Sequence, residues 1–168
     1  MKVYKNFLPL MFFNKLNDIF NSNNFQWYFQ NQTLTKDNKE SKDDFMFTHN
    51  LYLNNQINSD WFNTFEPILY FISRDYKISQ LLRMKLNLYT NQHKNINHTS
   101  HIDFEEKTKE DVKIGLLNFT NCNGGTKINK KIYKSNSNEL IVFDNKKKHN
   151  GITQSDTPNR IILNIGWK

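Results

Sequence analysis

The chain carries a single cysteine, Cys122, so no disulfide can form within it and its stability must come from packing. A lone thiol of this kind fits a reducing, cytoplasmic setting. Long apolar runs are also missing. None approaches the roughly 20 residues that a helix needs to cross a bilayer, so no membrane partner is expected. The run Phe7 to Phe13 follows Lys2 and Lys5 but contains Pro9, and it ends in Asn14 and Lys15 without a small-residue cleavage site. It reads as the start of a buried helix, not as a signal peptide. No internal repeat is visible. Acidic residues are in deficit, with 16 Asp and Glu against 23 Lys and Arg and a formal charge of +7. That excess admits an anionic partner such as nucleic acid. Part of it reflects a general bias toward Asn, Lys and Ile, so nucleic acid is not favoured.

What is present suits one compact core. At 168 residues the expectation is a single domain spanning 1–168, with a helix-and-strand support region over 1–80 and a β core over 81–168. Leu8, Phe12, Leu16, Ile19 and Phe20 recur at helical spacing, which predicts an amphipathic helix from Leu8 to Phe20 that packs on a sheet. Phe25 to Gln30 and Phe45 to Leu53 read as strands, separated by a solvated loop over Asn31 to Asp44. Ser59 and Asp60 predict the cap of a second helix running from about Asp60 to Arg74, with Trp61, Phe65, Ile68, Leu69 and Ile72 inward.

After Lys77 the period changes to two. Arg83, Lys85, Asn87 and Tyr89 alternate with Met84, Leu86 and Leu88, followed by Val112 to Phe119, Leu140 to Phe143 and Ile161 to Trp167. Two helices followed by about eight short strands point to an α+β fold with a rolled or sandwiched sheet.

The chemistry-bearing residues lie in this second half. In His101-Ile102-Asp103 an imidazole and a carboxylate stand two residues apart, which on an extended strand aims both at the same face. His149 comes well downstream, after a strand and a lysine turn, and Arg160 opens the terminal strand. Two histidines and one carboxylate on one face of an octahedral Fe(II) leave three positions open, enough for a bidentate cosubstrate and O₂. An arginine in the right place can grip the cosubstrate's far carboxylate bidentately, which lysine only partly imitates.

In order, His101-x-Asp103, Gly124-Gly125-Thr126, Asn138 with Leu140 to Asp144, His149-Asn150-Gly151 and Arg160 resemble the Fe(II)/2-oxoglutarate-dependent oxygenases of the prolyl-hydroxylase-like branch. The chain is most similar to small members of that group common in bacteriophage genomes. Asn6-Phe7-Leu8-Pro9, Phe25 to Phe29, His49 and Arg83-x-Lys85-x-Asn87 extend the resemblance upstream.

The resemblance implies a double-stranded β-helix, the jelly-roll or cupin-like core, with the N-terminal helices packed on its sheet. It implies Fe(II) held by His101, Asp103 and His149, and 2-oxoglutarate anchored by Arg160. Tyr89 and Asn87 become cosubstrate contacts, and Asn164 either another or a residue that orients a metal ligand. O₂ is then the second cosubstrate and ascorbate a further candidate. The implied reaction is hydroxylation with release of succinate and CO₂, on a protein side chain such as proline or, next, a small metabolite. A nucleic-acid-modifying oxygenase and a binding module without turnover are the alternatives.

Two positions depart from the family's pattern. Ile162 stands where many members carry a serine near the anchoring arginine, so a second polar contact to the carboxylate must come from elsewhere. Gly166 stands where nucleic-acid demethylases carry a further arginine, which counts against base repair. His93 and His98 read as loop or rim residues, with His98 facing away from His101, and His49 as a satisfied structural histidine. The lysines at 127, 130, 131, 134 and 146–148 read as solvated turns. Trp27, Tyr28, Trp61 and Trp167 read as core or core-edge residues, and Cys122 has no catalytic arrangement around it.

Overall fold

The computed structural model describes residues 1–31, 45–104 and 111–168. The loop expected from Asn31 to Asp44 falls, apart from Asn31, outside the described residues. In chain order the elements are β1 (Lys2–Tyr4), α1 (Leu10–Ile19), β2 (Tyr28–Gln30), β3 (Met46–Leu53), β4 (Gln56–Ile57), α2 (Phe62–Phe65) and α3 (Pro67–Ser73). Then follow β5 (Leu81–Thr90), β6 (Lys113–Asn118), β7 (Cys122–Ile128), β8 (Lys131–Ser135), β9 (Glu139–Asp144), β10 (His149–Ile152) and β11 (Asn159–Trp167). An eight-stranded sheet has the order β1-β9-β6-β11-β5-β3-β2, with β4 paired to β3, and a three-stranded sheet has the order β10-β7-β8. All these pairings are antiparallel.

Two apolar clusters hold the layers together. The larger joins Leu8, Phe13 and Leu16 from the N-terminal segment, and Phe65, Ile68 and Ile72 from α2 and α3, to Met84, Leu86, Leu163, Ile165 and Trp167 on the large sheet. Burial of this many side chains, each contributing about 1.5–3 kcal/mol, seats the helices on one face of that sheet. The smaller joins Ile114, Leu116, Ile141, Phe143 and Ile162 of the large sheet to Ile128 of the small one. The fold is thus mostly β with the helices on the large sheet, as the alternating pattern and the helical spacing require.

Several boundaries differ from the sequence reading. The first helix begins at Leu10, with Pro9 in the capping position, and Leu10 and Met11 face solvent while Leu8 and Phe13 are buried. Asn138 fixes this entry. Its Nδ2 donates to the Leu8 carbonyl at 2.8 Å and its Oδ1 accepts from the Leu8 amide at 2.9 Å. The second helix is broken in two because Pro67, which lacks an N–H, opens α3 at its first position. Ser59 does not cap it through Asp60. Its hydroxyl meets His49 and the Trp61 amide instead. The strand expected from Phe25 to Gln30 is confined to β2, Tyr28–Gln30, and Tyr28 is more than half exposed, not a core-edge residue. Downstream of Lys77 there are seven strands among the described residues, β5 to β11. Gly124 in β7 allows a close approach, because a Cβ there would stand 2.8 Å from the Ile152 carbonyl oxygen.

Candidate metal centre

His101 and His149 face each other across an antiparallel bridge, with each amide donating to the other's carbonyl at 2.9 Å. The bridge sets their rings side by side, centroids 4.5 Å apart. Asp103, two residues on, falls to the same side. One donor atom from each of His101, Asp103 and His149 lies within 4.8 Å of the others. Nε2 of His149 stands 3.5 Å from Asp103 Oδ2, and Nε2 of His101 stands 3.6 Å from Oδ1. Two imidazoles and one carboxylate are the donor set of the non-haem Fe(II) oxygenases, so the residues present fit such an ion.

The carboxylate is held from behind. Arg83 Nη2 donates to Asp103 Oδ1 at 2.7 Å, and Asn164 Nδ2 donates to Oδ2 at 3.2 Å. Arg83 also donates to Asn164 Oδ1 at 3.0 Å, which closes a three-residue ring around the carboxylate. Its guanidinium lies over the Phe104 ring, 4.9 Å from the centroid. Burial alone pushes the Asp103 carboxyl up, but Arg83 and the two histidines outweigh it and hold the group well below the usual carboxylate range. Burial pushes His149 down, against the attraction of Asp103. An ionised carboxylate and a neutral imidazole are the protonation states a metal needs.

The triad opens into a cavity whose walls include Lys85, Asn87, Tyr89, Thr126, Leu116 and Ile162. Behind Thr126 and Tyr89 of that wall, Arg160 is fully buried. Its Nη2 donates to Thr126 Oγ1 at 3.1 Å and its Nη1 to the Ile152 carbonyl at 3.4 Å, while Nε has no hydrogen-bond partner among the described residues. The guanidinium lies over the Tyr89 ring, 5.6 Å from the centroid. A buried cation whose protein contacts are neutral is short of a counter-ion, and burial lowers its pKa accordingly. This is the environment a ligand carboxylate would complete.

Every sequence-derived site residue therefore lies on this cavity or behind it. Asn87 and Tyr89 line it beside Met46 from β3, and Tyr89 pairs with Arg160 in register. Asn164 contacts Asp103 and Arg83, away from Arg160. His98 corrects the sequence reading. It is buried in the cavity wall and stacks on Tyr89 with centroids 5.3 Å apart. Its backbone leaves strand geometry before the His101 bridge, so simple alternation does not fix its direction. Thr126 supplies the polar group beside Arg160 that Ile162 cannot. The sequence signal for Thr126 lay in the Gly124-Gly125-Thr126 motif. Arg83, visible as part of a polar face and of the upstream resemblance, had no local mark of its pairing with Asp103. Gly166 has no room for a longer residue, because a Cβ there would lie 2.5 Å from the Phe104 ring.

His49 is outside this site. Its Nδ1 donates to the Gln26 carbonyl and its Nε2 accepts from the Ser59 hydroxyl, both at 2.6 Å, and its ring stacks on Phe25. With both nitrogens engaged it ties three segments together.

No family model and no curated protein matches the chain. Solved structures do. A 2OG-Fe(II) oxygenase family oxidoreductase from Burkholderia pseudomallei aligns with a TM-score of 0.66 at 11% identity, over 92% of this chain and 79% of that one. A prolyl-4-hydroxylase from Pseudomonas putida aligns at 0.64 and 10% identity, over 99% and 90%. A viral collagen prolyl hydroxylase from Paramecium Bursaria Chlorella virus-1 aligns at 0.56 and 10% identity, over 99% and 93%. At such identities the likeness establishes the fold, and the fold is that of the 2-oxoglutarate oxygenases, the double-stranded β-helix.

Proposed function

We propose that this chain is an Fe(II)- and 2-oxoglutarate-dependent dioxygenase that hydroxylates a separate substrate. The observation that carries this reading is the meeting of His101, Asp103 and His149 donor atoms within 4.8 Å, in a cavity whose wall residues Thr126 and Tyr89 rest on the buried Arg160. Bound there, Fe(II) supplies activation of O₂ coupled to oxidative decarboxylation of 2-oxoglutarate to succinate and CO₂, and conversion of a substrate C–H to C–OH.

The chain's own residues do the rest. His101, Asp103 and His149 hold the metal, and Arg83 and Asn164 keep the Asp103 carboxylate ionised and fixed in direction. Arg160, steadied by Thr126 and by the Tyr89 ring, receives the 5-carboxylate of the cosubstrate. Asn87 and Tyr89 complete the polar wall, while Met46, Leu116 and Ile162 exclude water from the remainder. Residues 1–80 support a catalytic core formed by residues 81–168. By likeness to the prolyl hydroxylases, a protein side chain such as proline is the leading substrate, with a small metabolite next.

Titration calorimetry with Mn(II) and then 2-oxoglutarate tests the site, and succinate formation on addition of Fe(II) and O₂ tests the activity. One metal per chain, 2-oxoglutarate binding that requires it, and succinate in step with 2-oxoglutarate consumed are expected. A folded protein that takes up no divalent metal would overturn the proposal.

A further inference from the structure

The cavity holds a charge that the proposed chemistry does not use. Lys85 stands in its wall, half-buried, on the same face of β5 as Arg83, Asn87 and Tyr89. Arg83 is occupied by Asp103, and Arg160 is set to receive one carboxylate of 2-oxoglutarate. Lys85 forms no ion pair among the described residues, and Asp103 is the one carboxylate they contribute to the cavity. Burial, with Arg83 adding to it, pushes the Lys85 ammonium down to about 8 against the attraction of Asp103.

Position separates Lys85 from the Arg160 end. Tyr89 is the register partner of Arg160, whereas Lys85 pairs with Asn164, the residue bonded to Asp103. Four residues of strand, about 13 Å at some 3.3 Å each, lie between Tyr89 and Lys85. Lys85 therefore stands at the register of Asn164 and Asp103, apart from that of Arg160. Across the strand pair Lys85 faces Asn50 of β3, and Thr48 faces Asn87. Asn50 and Asn87 each keep a buried side-chain oxygen without a hydrogen-bond partner among the described residues. Buried polar groups are normally satisfied, and an unpaired acceptor oxygen on Asn87, two residues along the cavity face from Lys85, leaves room for a donor on a bound molecule.

We propose that Lys85 receives an anionic group of the primary substrate, a carboxylate or a phosphate, next to the candidate metal centre, while the unpaired Asn87 Oδ1 accepts a hydrogen bond from an N–H or O–H of the same molecule. This rests on the dioxygenase reading and narrows it. The oxidised carbon belongs to a molecule that is negatively charged close to the site of oxidation, such as a peptide with an acidic residue there or an acidic metabolite. Lys85 is thus a specificity-determining residue.

The test uses the full chain loaded with Mn(II) and saturated with 2-oxoglutarate. Paramagnetic broadening of the phosphorus signal of inorganic phosphate, and of the methyl proton signal of acetate, reports each anion near the metal. The stronger of the two identifies the anion class. Lys85→Met is expected to weaken the favoured anion by about tenfold or more, and Lys85→Arg to restore most of it, with Mn(II) and 2-oxoglutarate affinities unchanged. Equal broadening in the wild type and Lys85→Met overturns the inference and leaves the dioxygenase reading standing. A parallel loss of 2-oxoglutarate affinity in Lys85→Met also overturns it, because Lys85 would then serve the cosubstrate. Failure of the wild type to bind Mn(II) removes both.

Discussion

The two faces of strand β11 do different work. Ile161, Leu163, Ile165 and Trp167 point toward the helices and belong to the larger apolar cluster. On the opposite face Arg160 meets Thr126 and Asn164 meets the Asp103 carboxylate, with Ile162 between them and Gly166 leaving space for Phe104. Strand β5, its antiparallel neighbour, repeats the division, with Met84 and Leu86 in the cluster and Lys85, Asn87 and Tyr89 in the cavity wall. One face supplies stability and the other carries buried charge and unsatisfied polar atoms. A pair of two-faced strands lets the same hydrogen-bonded ladder serve both.

This contrast can be broken by substitutions on either face. The largest effect on stability is expected from Leu163→Ala, which empties a fully buried site. Unfolding in urea should show a loss of about 2–5 kcal/mol, with Mn(II) affinity retained in the fraction that folds. His149→Ala should do the reverse, weakening Mn(II) binding by more than about a hundredfold in calorimetry while the metal-free protein stays close to wild-type stability. A metal-free His149→Ala protein that fails to fold would erase the distinction between the faces.

Arg160→Met should lower 2-oxoglutarate affinity by tens of fold, about 2 kcal/mol, and leave metal affinity nearly unchanged. An unchanged cosubstrate affinity would remove Arg160 as the anchor. Arg83→Met frees the Asp103 carboxylate from its partner and should weaken metal binding by about tenfold, in the range found for groups that orient ligands. Because Asn164 also holds Asp103, the effect should grow when Asn164→Ala is added, and a double-mutant cycle would measure that coupling.

The smallest effect concerns pH. His49 and His149 are both held below the ordinary histidine value of 6.5 by burial. As pH falls through 6.5 the unfolded chain takes up protons that the folded histidines refuse, so their contribution is complete above 6.5 and declines below it. The urea midpoint of the metal-free protein should therefore fall as pH is lowered through that region. A midpoint independent of pH between 7 and 5 would contradict it.

The sequence by itself determined which side chains share a face. The period of two across Arg83 to Tyr89 and Ile161 to Trp167, and the two-residue step from His101 to Asp103, are consequences of local backbone geometry. The structure follows them closely. It also determined the amphipathic character of the N-terminal helix, although Pro9 and Pro67 moved helix boundaries. Tertiary structure alone decided what each face meets. His149 stands opposite His101 because β10 closes on β7, carrying His149 against a segment far away in the chain. Arg83 becomes the partner of Asp103, and Thr126 of Arg160, by the same closure. His98 turns inward where strand alternation pointed it out. Such pairings depend on sheet register and on burial summed over the whole core, and short stretches of sequence encode neither.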